Sequence, residues 1–293
     1  MDEHDLLAER FDSHRGHLRA LAYRMLGSAS DADDAVQETW LRLSHADAAN
    51  IGNLAGWLRT VVSRVCLDML RSRLARRDDP VGGQVPEPVT TGQESDPEHE
   101  ALLTESVSSA LLVVLERLAP AERIAFVLHD LFAVPFGEIA PVVGRTPVSA
   151  KKLASRARHR VRGDATASEV DLAWHRRVVD AFLAAARGRD INALLDVLDP
   201  QVVRRADAAA VPPGTPLEIR GAQAVVEETL LLSRQARFAE PALVNGALGI
   251  IVAPRGRLRL ALSLTISAGR ITEYEVIADP QRLHDLDLAV PVL

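Results

Sequence analysis

Residues 76–100, RRDDPVGGQVPEPVTTGQESDPEHE, hold no apolar repeat that a helix or strand could bury, and proline and glycine recur through them. A segment of this kind is a solvated, flexible linker. The chain is therefore expected to divide there into domains. With 293 residues, 47% of them hydrophobic, it has material for two or three packed domains and is not globally disordered. Cys66 is the only cysteine, which excludes an intrachain disulfide framework and makes a reducing cytoplasm the expected setting. The opening MDEHDLLAERFDSHRG is charged from its second residue and lacks an apolar h-region, and no apolar run approaches bilayer-spanning length. Neither a signal peptide nor a membrane partner is expected.

Before the linker every pattern is helical. LLAERFDSHRGHLRALAYRML spaces Leu7, Phe11, Leu18, Leu21, Ala22 and Met25 on one face. SDADDAVQETWLRL offers an N-cap at Ser30 or Asp31, carries acids in its first turn, and turns Ala35, Val36, Trp40 and Leu43 inward. NLAGWLRTVVSRVCLDMLRSRLARR repeats the pattern through Leu54, Trp57, Leu58, Val61, Val65 and Leu70. After the linker, EHEALLTESVSSALLVVLERLAP and AERIAFVLHDLFAV read as two more amphipathic helices, and PFGEIAPVVG as a third that stops at Gly144. From about Trp174 the texture changes. AWHRRVVDAFLAAARGRDINALLDVLDPQVV reads as a helical pair, and the β-branched runs of ALVNGALGIIVAPRGRLRLALSLTISAGRITEYEVIADP as an antiparallel meander, giving a separate α+β domain.

The net charge is −6, yet GRTPVSAKKLASRARHRVRG (144–163) contains Arg145, Lys151, Lys152, Arg156, Arg158, Arg160 and Arg162 without one acid. Thr146 is placed to cap this helix and Pro147 to open it, so helix, short glycine turn and basic helix form a helix-turn-helix. Lysine and arginine there neutralise phosphates, while side chains of the first turn reach base edges in the major groove. Val148, Ser149, Lys151 and Lys152 sit where groove contacts are expected, and Arg145, Arg156 and Arg158 where phosphates run. A merely solvated charged face is the alternative, and the lack of acids at i±4 argues against it.

In order, SDADDAVQETWLRL, GWLRTVVSRVCLDMLR and LAPAERIAFVLHDLFAVPFGEIAPVVGRTPVSAKKLASRARHRV resemble regions 2 and 4 of extracytoplasmic-function (ECF) RNA polymerase sigma factors. The tail from VVDAFLAAARGRDINALLDVLDPQVV to ADPQRL resembles a SnoaL-like domain of the NTF2-like superfamily, a fusion that marks the ECF41-type group. VPEP (85–88) is similar to the group's linker motif and ADPQRL (278–283) to its C-terminal motif. The resemblance implies an all-α region 2 domain (1–75), a flexible linker (76–100) and an all-α region 4 helix-turn-helix domain (101–164). An α+β SnoaL-like, NTF2-like cone domain (172–293) follows. Two departures stand out. ADAAAVPPG (206–214) has alanines where the group has glycines, so positive-φ loop conformations are not expected there, and Gln84-Val85 replaces a bulkier Trp-Leu pair.

The resemblance further implies that Asp33, Asp34, Gln37 and Glu38 dock on the β′ clamp helices of core RNA polymerase, with the β flap a second contact. His45, Asn50 and Asn53, with Asp47, fall where such factors capture a flipped base of the −10 element, although Asn and Asp are also ordinary turn formers. Arg59, Arg64, Arg71 and Arg73 are then offered to the single strand, with Trp57 either a stacking platform or core. Region 4 would hold the −35 duplex. The SnoaL-like domain would be an intramolecular partner controlling the sigma domains in cis, with ADPQRLHDLDL contacting the linker and region 2 or 4.

Relatives of that domain that are enzymes use an Asp/His pair in the pocket. Candidates here are Asp180, Asp196, Asp199, Asp207, Glu273, Glu275 and Trp174-His175. The apolar strands LGIIVA and LALSLTI speak against catalysis. No HExxH spacing occurs, and His4, His14 and His17 are expected to be surface histidines and not a metal site. No cofactor is expected, and an unidentified small-molecule ligand of the pocket stays open. Two rivals remain: a SnoaL-type enzyme with a DNA-tethering appendage, and a helix-turn-helix repressor that binds operators without polymerase.

Overall fold

The computed structural model describes residues 3–47, 51–77, 108–164, 168–231 and 233–291. Asn50, the VPEP motif and all but the first two residues of the expected linker lie outside them. The chain divides into two compact units, one comprising Met1–Val107 with Leu115–Arg158 and the other Ser108–Val114 with His159–Leu293.

In the first unit, α1 (Glu3–Leu26), α2 (Ala29–Ser44) and α3 (Leu54–Arg77) pack around Phe11, Leu18, Leu21, Met25, Leu43 and Leu58. The cap of α2 is Ser28, whose hydroxyl accepts from Asp31 N at 3.4 Å, so the helix starts earlier than Ser30 or Asp31 would allow. The helix α4 (Ser109–Glu116) crosses from the second unit into the first. It is followed by α5 (Pro120–Phe126), which widens into a π-turn at Val127–Leu131, and by α6 (Phe136–Val143) and α7 (Pro147–Arg162). The sequence pattern over 121–134 is continuous. The backbone breaks where Ala133 adopts φ 54° and Val134 N donates to Leu128 O.

The second unit begins, after Ser108–Val114 and the end of α7, with α8 (Glu169–Gly188) and α9 (Ile191–Val197). Asp190 caps α9 by accepting from Ala193 N at 3.0 Å. The expected helical pair does not extend to Val203. The chain turns into β1 (Leu198–Ala206), because Pro200 has no N–H to give a helix and the inward residues alternate through Val202, Arg204 and Ala206. After β2 (Glu218–Arg220) and α10 (Ala222–Leu231) comes the meander β3 (Ala239–Val244), β4 (Ala247–Val252), β5 (Leu260–Ser267) and β6 (Arg270–Ile277). A short helix α11 (Pro280–Asp285) and β7 (Leu288–Ala289) close the unit. The seven-stranded sheet runs β2-β1-β6-β5-β4-β3-β7, antiparallel except where β1 runs parallel to β6. The Asn245–Gly246 turn, φ 52° and 78°, is the type I′ geometry that joins β3 to β4 in tight register. Helices and sheet share a core that includes Phe182, Leu183, Val225, Leu243, Ile250 and Tyr274. No helix among the described residues is long and apolar enough to cross a membrane.

Gly249 on β4 has no room for a side chain, because a Cβ would lie 2.4 Å from Leu262 O and 2.9 Å from Val244 Cγ2. Gly249→Ala should therefore cost about 1–3 kcal/mol, read as a lower thermal midpoint.

Candidate nucleic-acid interface

The basic helix α7 is positioned by the turn before it. Gly144, at φ 66°, ends α6 in the left-handed region, and Arg145 N donates back to Ala140 O at 3.0 Å. Thr146 Oγ1 accepts from Ser149 N at 3.3 Å and donates to Ser149 Oγ at 3.1 Å, while Pro147 occupies the first helical position. Ala150, Ala154 and Ala157 form the buried stripe, and their small side chains seat the helix closely. Opposite them Val148 is 67% exposed, an unusual level for an apolar side chain, and Arg145, Lys151 and Lys152 are exposed with it. These three cations make no ion pair among the described residues.

The other expected contacts are committed elsewhere. Arg156 Nε donates to the buried Glu122 at 2.8 Å. Arg158 Nε donates to Asp130 at 2.7 Å, and that hydrogen bond raises its pKa. The hydroxyl of Ser149 is tied to the cap. Ser155 and His159 share the exposed face with Lys151 and Lys152 and were not singled out in the sequence. Their spacing of four and eight residues from Lys151 was the available signal.

On α2, Asp33, Asp34 and Gln37 are exposed and Glu38 is half-buried. Arg19 grips Asp33 with two hydrogen bonds of 2.6 and 3.0 Å, and Arg42 holds Glu38 at 2.9 Å. Leu41, 46% exposed, extends the Asp34–Gln37 stripe by another turn. Sequence reasoning missed it because the inward pattern of α2 does not need it. His45 is exposed at the C-cap of α2, and Asn53 Oδ1 accepts from Gly56 N at 3.0 Å, capping α3. Trp57 is half-buried, and Arg71 is exposed with Asp68 3.9 Å away. Within the first unit two of the α3 arginines face α6, where Arg59 pairs with Glu138 and Arg64 Nη2 donates to Pro141 O at 3.2 Å.

The same unit buries charge. Burial pushes the Arg123 guanidinium down to about 10, with Glu116 opposing that shift, and its Nε has no hydrogen-bond partner. His17 lies edge-on to Phe132 at 5.3 Å. Burial lowers its pKa first, and Arg59, His14 and Arg24 add to the effect.

In the second unit none of the carboxylates considered for chemistry lines the cavity, which has a volume of about 90 Å³. Asp180 pairs with Arg176, Glu273 with Arg205 and Glu275 with Arg282. Asp199 accepts from Gln201 N, and Asp207 Oδ2 from Ala278 N and Asp279 N. The cavity's carboxylate is Glu228, paired with the fully buried Arg204. Among the described residues no group of three or more His, Cys, Asp or Glu is placed to hold a metal ion.

Two family models match the chain, Sigma-70 region 2 over residues 10–76 and Sigma-70 region 4 over residues 108–161. The ECF RNA polymerase sigma factor SigJ of Mycobacterium tuberculosis is 37% identical, over 93% of this chain and 91% of its own length. The chain belongs to the ECF RNA polymerase sigma factors. The probable ECF sigma factor SigI of the same species is 35% identical over 98% of both chains. The crystal structure of SigJ matches at 34% identity with a TM-score of 0.45, covering 94% of this chain and 98% of that one. Region 2 of this sigma factor thus comprises α1–α3, and region 4 runs from the first residue before α4 to Val161 of α7.

Two outcomes follow from this geometry. Lys151→Ala and Lys152→Ala should each leave the thermal midpoint unchanged and reduce the salt slope of promoter binding by about 1, measured on the holoenzyme. The fold lowers the pKa of His17, so the stability present above its ordinary value near 6.5 falls as pH drops below it and the unfolded chain takes up the proton first. Melting curves of the free factor between pH 7 and 5 should show that loss, and His17→Gln should flatten it.

Proposed function

We propose that this sigma factor directs core RNA polymerase to promoter DNA and that its C-terminal unit regulates it in cis through a hold on the start of region 4. The −35 duplex is read by the start of α7, with Val148, Lys151 and Lys152 toward the groove and Arg145 toward phosphates. Arg156 and Arg158 join them where their partners Glu122 and Asp130 let go. The exposed Asp34, Gln37 and Leu41, flanked by Asp33 and Glu38, dock on the β′ clamp helices, and region 4 meets the β flap. His45, Asn50 and Asn53 face the −10 strand, whose backbone is met by Arg59, Arg64 and Arg71. The factor acts in the cytoplasm. Its C-terminal unit serves as a regulator and not an enzyme, a reading supported by Glu228, the carboxylate of the cavity, being neutralised by Arg204.

The observation that carries cis control lies inside the second unit. Glu240 of β3 accepts from Ser108 Oγ at 2.6 Å and from Ser109 N and Ala110 N at 3.1 Å each, taking up free donors of α4. Val290 N donates to Val161 O at 2.8 Å, at the other end of region 4.

The test is in vitro transcription with core polymerase on a promoter found by selection, comparing the full chain with one ending near Asp171. Factor-dependent transcripts from either chain support the reading, and the activity ratio gives the sign of regulation. Glu240→Ala should move the full chain toward the activity of the shortened one. If neither chain binds core or starts transcription, and the full chain alone binds duplex operators, the repressor reading replaces this one.

A further inference from the structure

Glu240, which grips Ser108–Ala110, does not line the cavity of the second unit, and that lining is unlike a filled core. Phe182, Leu183 and Ala186 of α8 form one wall, and Ile250, Val252 and Leu262 of the sheet another. Close-packed interiors leave few spaces larger than a water molecule. A dry engineered cavity of roughly 150 Å³ takes up benzene, so about 90 Å³ is room for a smaller molecule than a six-membered ring, such as a short chain.

The polar groups on this lining restrict what fits. Arg204 Nε donates to Glu228 Oε2 at 2.6 Å, a second guanidinium nitrogen meets the other carboxylate oxygen, and Nη1 donates to Pro216 O and Leu217 O. The ion pair is closed on itself. An anion would have to displace Glu228 and a cation would have to displace Arg204, each leaving a buried charge unpaired. Tyr274 is different. Thr229 Oγ1 spends its proton on Val225 O at 2.8 Å, so the Tyr274 hydroxyl is the donor across the 3.4 Å between them. That is a long hydrogen bond, which an oxygen acceptor at ordinary distance would improve upon. Burial pushes the phenol up to about 12, so it stays protonated and able to donate.

We infer that this cavity binds a small, neutral, largely apolar molecule carrying one oxygen acceptor for Tyr274, and that its occupancy acts on the hold over Ser108–Ala110. The second half rests on the cis-control reading. Its structural basis is adjacency on one strand. Ala239 lines the cavity, and the next residue, Glu240, points to the other face of β3, where it grips α4. Arg187 of α8 fixes the start of that strand, its Nε donating to Ala236 O at 3.0 Å and its Nη2 to Ala239 O. Val252 and Leu260, also on the lining, flank the turn at Pro254–Gly256. A Cβ on Gly256 would lie 3.0 Å from Leu112 Cβ. Wall residues of the cavity and the residues that touch α4 are thus neighbours along the same two segments.

The probes are acetone, with acetate and isopropylamine as charged counterparts, titrated into the full chain by ligand-observed NMR. Amide exchange of residues 108–112 is followed in parallel. Saturable binding of the ketone and of neither ion is expected. Tyr274→Phe should weaken it by about tenfold, the worth of one hydrogen bond, and Ala186→Leu should abolish it by filling the space. Leu262→Phe serves as a second filling variant, and circular dichroism checks that each variant is folded. Exchange at Ser109–Leu112 should change on saturation in the unmodified chain and stay constant in the filled ones. The site is overturned if the ketone does not bind, if the ions bind as well, or if the filled variants bind it unchanged. Binding with unaltered exchange overturns the coupling. Every readout is binding or exchange in the free factor, so these failures are distinct from failure to initiate transcription.

Discussion

The free N–H groups at the start of a helix need acceptors, and the rest of this architecture follows from where α4 finds them. Glu240 supplies both carboxylate oxygens to a hydroxyl and two backbone amides, and a negative charge at a helix N-terminus is further favoured by the helix dipole. The first turns of α4 therefore belong to the C-terminal unit although region 4 begins there. The last residues of α7 belong to it as well, with Val161 bonded to Val290 and Gly163 so close to Ala289 that a Cβ would lie 2.4 Å from that methyl. The helix-turn-helix between them sits in the other unit. Region 4 is in this way continuous in sequence and divided in packing, a direct physical route for a C-terminal domain to act on a DNA-reading element.

Charge counted along the chain and charge available on the fold are different quantities. The basic run of α7 is uninterrupted by acids in sequence, but Glu122 and Asp130, far along the chain, each claim one arginine. At the start of the helix Arg145, Lys151, Lys152 and the exposed Val148 stay open. The acidic face of α2 is thinned in the same manner, since Arg19 takes Asp33 from α1 and Arg42 takes Glu38 from the next turn. Arg59 and Arg64 repeat it against Glu138 and Pro141. The exposed pair among these, Arg42 with Glu38, contributes little to stability, whereas Arg156 and Arg158 reach carboxylates that are largely buried.

Local chemistry was legible in the sequence. Gly144, Thr146 and Pro147 declare the turn and the start of α7 within four residues, and Asn245–Gly246 declares a hairpin, because each determinant acts on its own neighbours. Contacts between distant residues were not legible. Glu240 lies 132 residues from Ser108, and nothing in either segment names the other. The start of β1, residues 198–203, reads as helix because Leu198 continues the apolar spacing of Leu194, Leu195 and Val197 in α9. Its strand character comes from pairing with β6, where Arg204 faces Tyr274. Glu228 escaped notice for a related reason: one of two adjacent carboxylates on an amphipathic helix looks solvated until Arg204 is found beside it.

Two motifs that the sequence presents far apart turn out to be one structural node, and this explains why alanines are tolerated in the first. Asp207 Oδ2 accepts from the backbone of Ala278 and Asp279, Asp279 caps α11 through Gln281 N and Arg282 N, and Arg282 returns to Glu275 on β6. The carboxylate of Asp207 does this from ordinary backbone. No non-glycine residue of 206–213 takes a positive φ, and the first residue there to need one is Gly214, at 85°. Glycine at 208–210 would add unfolded-state entropy without relieving strain, so alanine suits a loop whose task is to present one acid. The node fixes α11 and the chain leading into β7, beyond which Val290 meets Val161. The early acidic motif thereby reaches region 4 through the C-terminal segment it anchors, a second route alongside Glu240 on β3.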